Sequence, residues 1–200
     1  WCIVLFTVAI AKFIVPVPAW RRWLSRAMTA LAEGWIGTNN AIFRLMGSLP
    51  LEPRGLEGLS TREWYLVVSN HRSWVDILVL QAVFNRRIPF LKFFLKQQLI
   101  WVPFLGIAWW ALDFPFMRRY SAAHLAKHPE DRGKDLEATR RACEKFRLIP
   151  TSVMNFVEGT RFTPAKHAAS KSPYRNLLPP RAGGVSFVLS AMGGMLHSML

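Results

Sequence analysis

Val67-Val68-Ser69-Asn70-His71-Arg72-Ser73-Trp74-Val75-Asp76 marks a strand-to-helix junction. Just upstream, the apolar run Trp64–Val68 has the length and β-branched content of a buried strand. The run stops at polar Ser69-Asn70-His71, and from Trp74 the apolar residues take up helical spacing. A histidine therefore sits at a strand end with a carboxylate five positions on. Reactive groups collect at such junctions because rigid elements hold the loop in place.

Outward from this point, strand and helix patterns alternate. The spacing predicts a helix over Ser73–Phe84, a strand over Pro89–Leu95 and an apolar helix over Leu99–Leu112 interrupted by Pro103 and Gly106. A short strand Phe114–Met117 runs into Arg118-Arg119, and an amphipathic helix is expected over Lys134–Phe146. A strand over Thr151–Val157, a polar loop with Pro164 and Pro173, and a helix over Gly184–Met195 complete the pattern. Alternation of this kind predicts an α/β fold with a mostly buried central sheet flanked by helices. Pro50–Thr61, with Pro53, Gly55 and Gly58, reads as a linker. The expected division is residues 1–50 as membrane-anchoring or interfacial helices and 51–200 as the α/β domain. A chain that starts at Trp1 and ends in an apolar run is expected to be truncated at both ends, the α/β domain included.

Trp1–Trp20 is almost wholly apolar, broken by Lys12, Pro16 and Pro18, and approaches the ~20 residues that cross a bilayer. Arg21, Arg22 and Arg26 follow, which would leave this end in the cytoplasm. A re-entrant or interfacial helix is the competing reading, because Lys12 is costly at the centre of a span. Met28–Leu49 forms a second, weaker apolar helix pattern interrupted by Gly34 and Gly37.

Lys and Arg total 26 against 12 Asp and Glu, a formal net charge of +14 that calls for an anionic partner. With 52% hydrophobic residues, a mean hydropathy of +0.17 and nine Trp, a membrane surface fits this chain better than nucleic acid. No nucleic-acid-binding module stands behind the charge. Cys2 and Cys143 suit no disulfide framework or zinc site and read as reduced thiols on the cytosolic side. His124 and His128 have the i, i+4 spacing of a metal pair but lack a third ligand, so no metal is assigned.

Histidine titrates near neutrality, so His71 can accept a proton from a hydroxyl and return one to a leaving group. A carboxylate on its other nitrogen, Asp76, would fix the tautomer. Ser73-x-x-Asp76 is equally a capping box with Ser73 as N-cap, and the two readings are compatible. Phe156-Val157-Glu158-Gly159-Thr160-Arg161 is a second strand end, with an arginine suited to phosphate beyond a glycine turn. Its rival is an ordinary turn with a surface Glu–Arg pair.

Asn70-His71 with Asp76, the Pro103–Gly106 turn leading to Phe116-Met117-Arg118, Glu158-Gly159-Thr160-Arg161 and Leu178-Pro179-Pro180 follow one another in order. This arrangement resembles the four blocks of PlsC-type glycerolipid acyltransferases, in particular their 1-acylglycerol-3-phosphate acyltransferase branch and its bacterial YihG-like members. The resemblance covers Leu51 onward and implies the PlsC-type fold, with N-terminal membrane-associated helices. It implies acyl transfer from acyl-CoA or acyl carrier protein to the free hydroxyl of a lysophospholipid, with no cofactor besides the thioester co-substrate. His71 matches the base and Asp76 its carboxylate, while Arg118 matches the phosphate-associated arginine of the second block. Glu158, Gly159, Thr160 and Arg161 match the block that holds the acceptor glycerol phosphate, and Pro180 the proline on the acyl-donor side. Met117 and the doubled Arg118-Arg119 depart from the family's second block.

The expected enzyme works at the inner, cytoplasmic membrane with its catalytic domain facing the cytoplasm. Backbone N–H groups near Ser73 would help hold the oxyanion. Two rivals are a serine-type lipid hydrolase using Ser69 or Ser73, which lacks the G-x-S-x-G elbow, and a non-catalytic basic membrane adaptor.

Overall fold

Tyr65 and Val67 face one side of the first strand and Leu66 and Val68 the other, as a two-residue period requires. The computed structural model describes residues 1–15, 17–47, 51–117, 126–131, 133–147 and 149–200. Strand β1 (Tyr65–Ser69) lies inside a four-stranded parallel sheet of order β2-β5-β1-β6, with β2 at Leu91–Phe93, β5 at Ser152–Phe156 and β6 at Ser198–Met199. A parallel sheet needs both faces covered. Helix α5 (Lys134–Cys143) and helix α7 (Ala182–Met192) bury Cys143, Val188 and Met192 against Leu66 and Val153 on one face. Helix α3 (Val75–Phe84) packs Leu80 and Phe84 over Tyr65, Val67 and Met154 on the other.

Several boundaries differ from the sequence expectation. The strand expected over Pro89–Leu95 divides at Phe94 into β2 and β3 (Leu95–Lys96). Strand β3 leaves the main sheet and pairs in parallel with β4 (Phe116–Met117). The expected helix Leu99–Leu112 is a 3-10 turn, Gln97–Trp101, followed by α4 (Leu105–Ala111), because Pro103 interrupts the helix between them. The loop after β5 holds a short helix, α6 (Pro164–Ser170), capped by the Thr163 hydroxyl, which accepts from the Lys166 N–H at 3.2 Å. Strand β6 was not expected at all; two residues carry no readable period.

At the N-terminus the apolar run divides into α1 (Cys2–Ile14) and α2 (Pro18–Leu45), with Pro18 in the first turn of α2. At 13 residues α1 is roughly 20 Å long, short of the ~30 Å hydrocarbon core. Among the described residues no helix is long and apolar enough to cross a membrane, and the run expected over Trp1–Trp20 is shared between α1 and the start of α2. Helix α2 runs unbroken through Gly34 and Gly37. Gly34 serves packing there: a Cβ would lie 2.9 Å from the Trp1 ring. The stripe Leu24, Met28, Ala32 and Ile36 is buried, and all but Leu24 share a core with Ala9, Phe90, Ala111 and Phe114.

Lys12 is turned inward. Its Nζ donates to Asp113 Oδ2 at 2.8 Å and to the Ala111 carbonyl at 2.7 Å, and the Ser25 hydroxyl donates to the same carboxylate oxygen at 2.7 Å. The charge that argued against a buried-in-lipid helix thus pins α1 to the segment after α4. Lys12→Met keeps the stem but removes the cation, and should lower folding stability by about 2 kcal/mol. The denaturation midpoint checks this; an unchanged midpoint would remove the pair from the account of stability.

Candidate active site

Parallel pairing of β1 and β5 ends with Ser69 beside Phe156, so the two following loops leave the carboxyl edge of the sheet together. Two backbone bonds carry the pairing onward, from Val157 N–H to the Ser69 carbonyl at 3.0 Å and from Phe162 N–H to the His71 carbonyl at 2.7 Å. Two cation–π contacts clasp the same loops: Arg72 lies 5.1 Å from the Phe162 ring and Arg161 lies 4.6 Å from the Trp74 ring.

His71 Nδ1 lies 2.9 Å from Asp76 Oδ2, with 12% of the histidine and 26% of the aspartate side chain exposed. The same oxygen accepts from the Arg72 N–H at 2.6 Å and the Ser73 N–H at 2.8 Å. Partial burial is the largest single influence on Asp76 and pushes its carboxyl upward. The Ser73 N–H, the His71 ring and the Arg72 N–H together outweigh it and hold the group below the usual carboxylate range. An ionised acceptor requires Nδ1 to carry the proton, so in a neutral ring Nε2 holds the lone pair.

The capping box is half realised. Asp76 reaches back to the Ser73 N–H, but the Ser73 hydroxyl accepts from the Val75 N–H at 3.2 Å, and the N-cap is Trp74 rather than Ser73. The Arg72 and Ser73 N–H groups are engaged by Asp76, so they are not the oxyanion donors expected near Ser73.

His71 opens onto a cleft of about 560 Å³ whose walls include Phe93, Phe156, Gly159, Thr160, Lys96 and Arg181. Gly159 takes φ +68°, which the tight turn requires and a side chain resists. Thr160 Oγ1 accepts from Lys166 Nζ at 2.6 Å. Glu158 is buried, and among the described residues neither carboxylate oxygen has a hydrogen-bond partner. Arg161 stands on Trp74 and is absent from the cleft wall; Pro180 is exposed on a neighbouring depression with Val157 and Arg181. Arg118 lies outside the described residues, as does His124, while His128 Nδ1 lies 3.1 Å from Glu130.

Sequence reasoning missed Lys96, Arg181 and Phe156 as members of this site. Lys96 closes an apolar run and Arg181 follows Pro179-Pro180, signals too common to single them out. Phe156 ends β5 beside Ser69, the Arg181 N–H donates to the Val157 carbonyl at 2.7 Å, and Lys96 lies on β3.

The profile of the Acyltransferase family matches residues 50–197. The chain belongs to this family. It is 29% identical over 148 residues to mouse 1-acyl-sn-glycerol-3-phosphate acyltransferase gamma, covering 69% of this chain and 37% of that protein. The human protein of the same name is 29% identical over 111 residues, covering 54% of this chain and 27% of the relative. The chain thus spans well under half the length of these relatives. In fold it is similar to the crystal structure of the 1-acyl-sn-glycerophosphate (LPA) acyltransferase PlsC from Thermotoga maritima. The TM-score is 0.52 at 18% identity, over 93% of this chain and 61% of that one.

The lowered carboxyl of Asp76 makes a stability contribution that is complete above the ordinary carboxylate range, about pH 4, and lost as pH falls through the lower folded value. Asp76→Asn should be less stable than the parent at neutral pH, with the gap closing in acid. Denaturation midpoints followed across pH check this, and a pH-independent gap would contradict it.

Proposed function

We propose that this member of the Acyltransferase family moves a fatty acyl group from a thioester to the free hydroxyl of a lysophospholipid such as 1-acylglycerol-3-phosphate. The observation that carries the reading is the His71–Asp76 pair at the mouth of a cleft with a cationic wall. His71 Nε2 takes the proton of the acceptor hydroxyl as its oxygen attacks the thioester carbonyl. The tetrahedral adduct collapses, the C–S bond breaks, and the imidazolium returns the proton to the departing sulfur. Asp76 stabilises the imidazolium. Negative charge on the adduct and on the acceptor phosphate faces Lys96 and Arg181, with Arg161 beside the cleft and Arg118 retained as a phosphate contact from the motif resemblance. Glu158 to Thr160 shape the acceptor side and Pro180 the donor side. The donor is acyl-CoA or acyl carrier protein, and assignment to the YihG-like branch rests on the same motifs.

Membrane association is part of the proposal. Helix α1 exposes Ile3 at 83% and Phe13 at 71%, and the turn before α4 exposes Trp101 at 84% and Phe104 at 72%. Phe6 and Phe104 meet edge to face at 6.0 Å, which joins the two segments into one apolar surface. Such a surface, flanked by Arg21 and Arg22, suits an interfacial seat on an anionic leaflet. The proposal extends to an inner-membrane location with the cleft on the cytoplasmic side, a reading supported by Arg21, Arg22 and Arg26 after the apolar run. A serine hydrolase finds less support: Ser69 donates to the Asn70 carbonyl and Ser73 accepts from Val75, so neither hydroxyl is paired with His71 among the described residues.

His71→Ala should lower acyl transfer by roughly 10³-fold in a membrane assay crossing lysolipids with both donor types. Full activity of that variant would end the catalytic reading. Trp101→Ser with Phe104→Ser should weaken flotation with vesicles containing anionic lipid while leaving the fold unchanged; undiminished flotation would place the membrane contact elsewhere.

A further inference from the structure

The imidazole of His71 lies flat on the ring of Phe156, with centroids 3.9 Å apart and planes 13° from parallel. The stack does not end there. Phe156 is followed by Phe93 at 6.3 Å and 21°, and Phe93 by Phe114 at 6.3 Å and 13°. Phe90 closes the row edge-on against Phe114 at 6.1 Å and 80°. Each of the rings from His71 to Phe114 thus lies within 21° of parallel to the next, from the His71 loop to the core that the N-terminal helices share with α4.

Strand pairing sets this row. Phe93 is registered with Met154 on β5, and Phe156 lies two residues further along the same strand, so both rings stand on one face of the sheet. The Asp76 hydrogen bond fixes the direction of Nδ1 but leaves the ring free to tilt about that bond. A flat ring in van der Waals contact removes the remaining freedom and keeps water off one face of the base.

We propose that Phe156 is a positioning residue for His71, with Phe93 as its backing, and that the aromatic row sets the direction of the Nε2 lone pair into the cleft. The inference rests on the assignment of His71 as general base. It distinguishes a planar ring from mere apolar volume, because a leucine at 156 fills similar space without defining a plane.

The test compares steady-state kinetics of Phe156→Leu, Phe156→Tyr and Phe93→Leu, varying acceptor and thioester separately, with the His71 ring-proton resonances as a direct readout of the stack. Phe156→Leu should lower kcat about 30-fold with both KM values within about 2-fold, the scale of a small misplacement of a reacting group. Its His71 resonances should lose the upfield displacement that an overlying ring produces. Phe156→Tyr should restore most of kcat, and Phe93→Leu should lower kcat about 3-fold. Wild-type kcat in Phe156→Leu, a loss confined to KM, or equal losses for Leu and Tyr would overturn the proposal. Should Phe156→Leu fail to fold, Phe93→Leu with an unaltered kcat would overturn it instead. A fully active His71→Ala would remove the base assignment and the aromatic row's role together, whereas an inactive His71→Ala beside a fully active Phe156→Leu would remove only the latter.

Discussion

Five residue pairs hold β1 and β5 in parallel register, from Tyr65 beside Ser152 to Ser69 beside Phe156. A slip of one position would carry Phe156 to the opposite face of the sheet and separate it from His71. The same slip would break the bonds by which Val157 and Phe162 tie their loop to Ser69 and His71. Burial enforces the register from both sides, since Leu66 and Val153 pack under α5 and α7 while Val67 and Met154 pack under α3. The site therefore inherits its geometry from the core.

Asp76 shows how little a small site must choose between structure and chemistry. One carboxylate oxygen gathers the Arg72 and Ser73 N–H groups, which start the helix, and the His71 ring, which the helix start then orients. Three donors offset the cost of burying the charge. Two backbone donors are spent in doing so. In the proposed reaction, the charge that forms on the adduct is left to the cationic wall of the cleft.

Helix α1 inverts the usual surface rule. Its exposed side chains are mostly apolar, while Lys12 points inward to Asp113 and the Ala111 carbonyl. The core beneath the N-terminal hairpin contains Phe114, the last of the stacked rings that reach back to His71. Packing of the hairpin and the orientation of the His71 ring thus draw on one continuous core.

Strands β1 and β5 were legible because each is a short apolar run closed by polar turn residues, and the His71–Asp76 pairing because only five positions separate them. Helix boundaries were less so: Trp74 rather than Ser73 is the N-cap, with Ser73 accepting from Val75, and α2 runs through two glycines, one of which leaves room for the Trp1 ring. Strand β4 falls within the short strand expected over Phe114–Met117, whereas β6 and the separate pairing of β3 rest on two residues each and exist only through their partners. Local order comes from bonds that span a few residues, and those can be read from neighbours in the chain. The meeting of His71 with Phe156 and the Arg181 segment depends on parallel pairing between residues 87 positions apart, Ser69 and Phe156 among them, and only the tertiary structure decides which residues that pairing sets side by side.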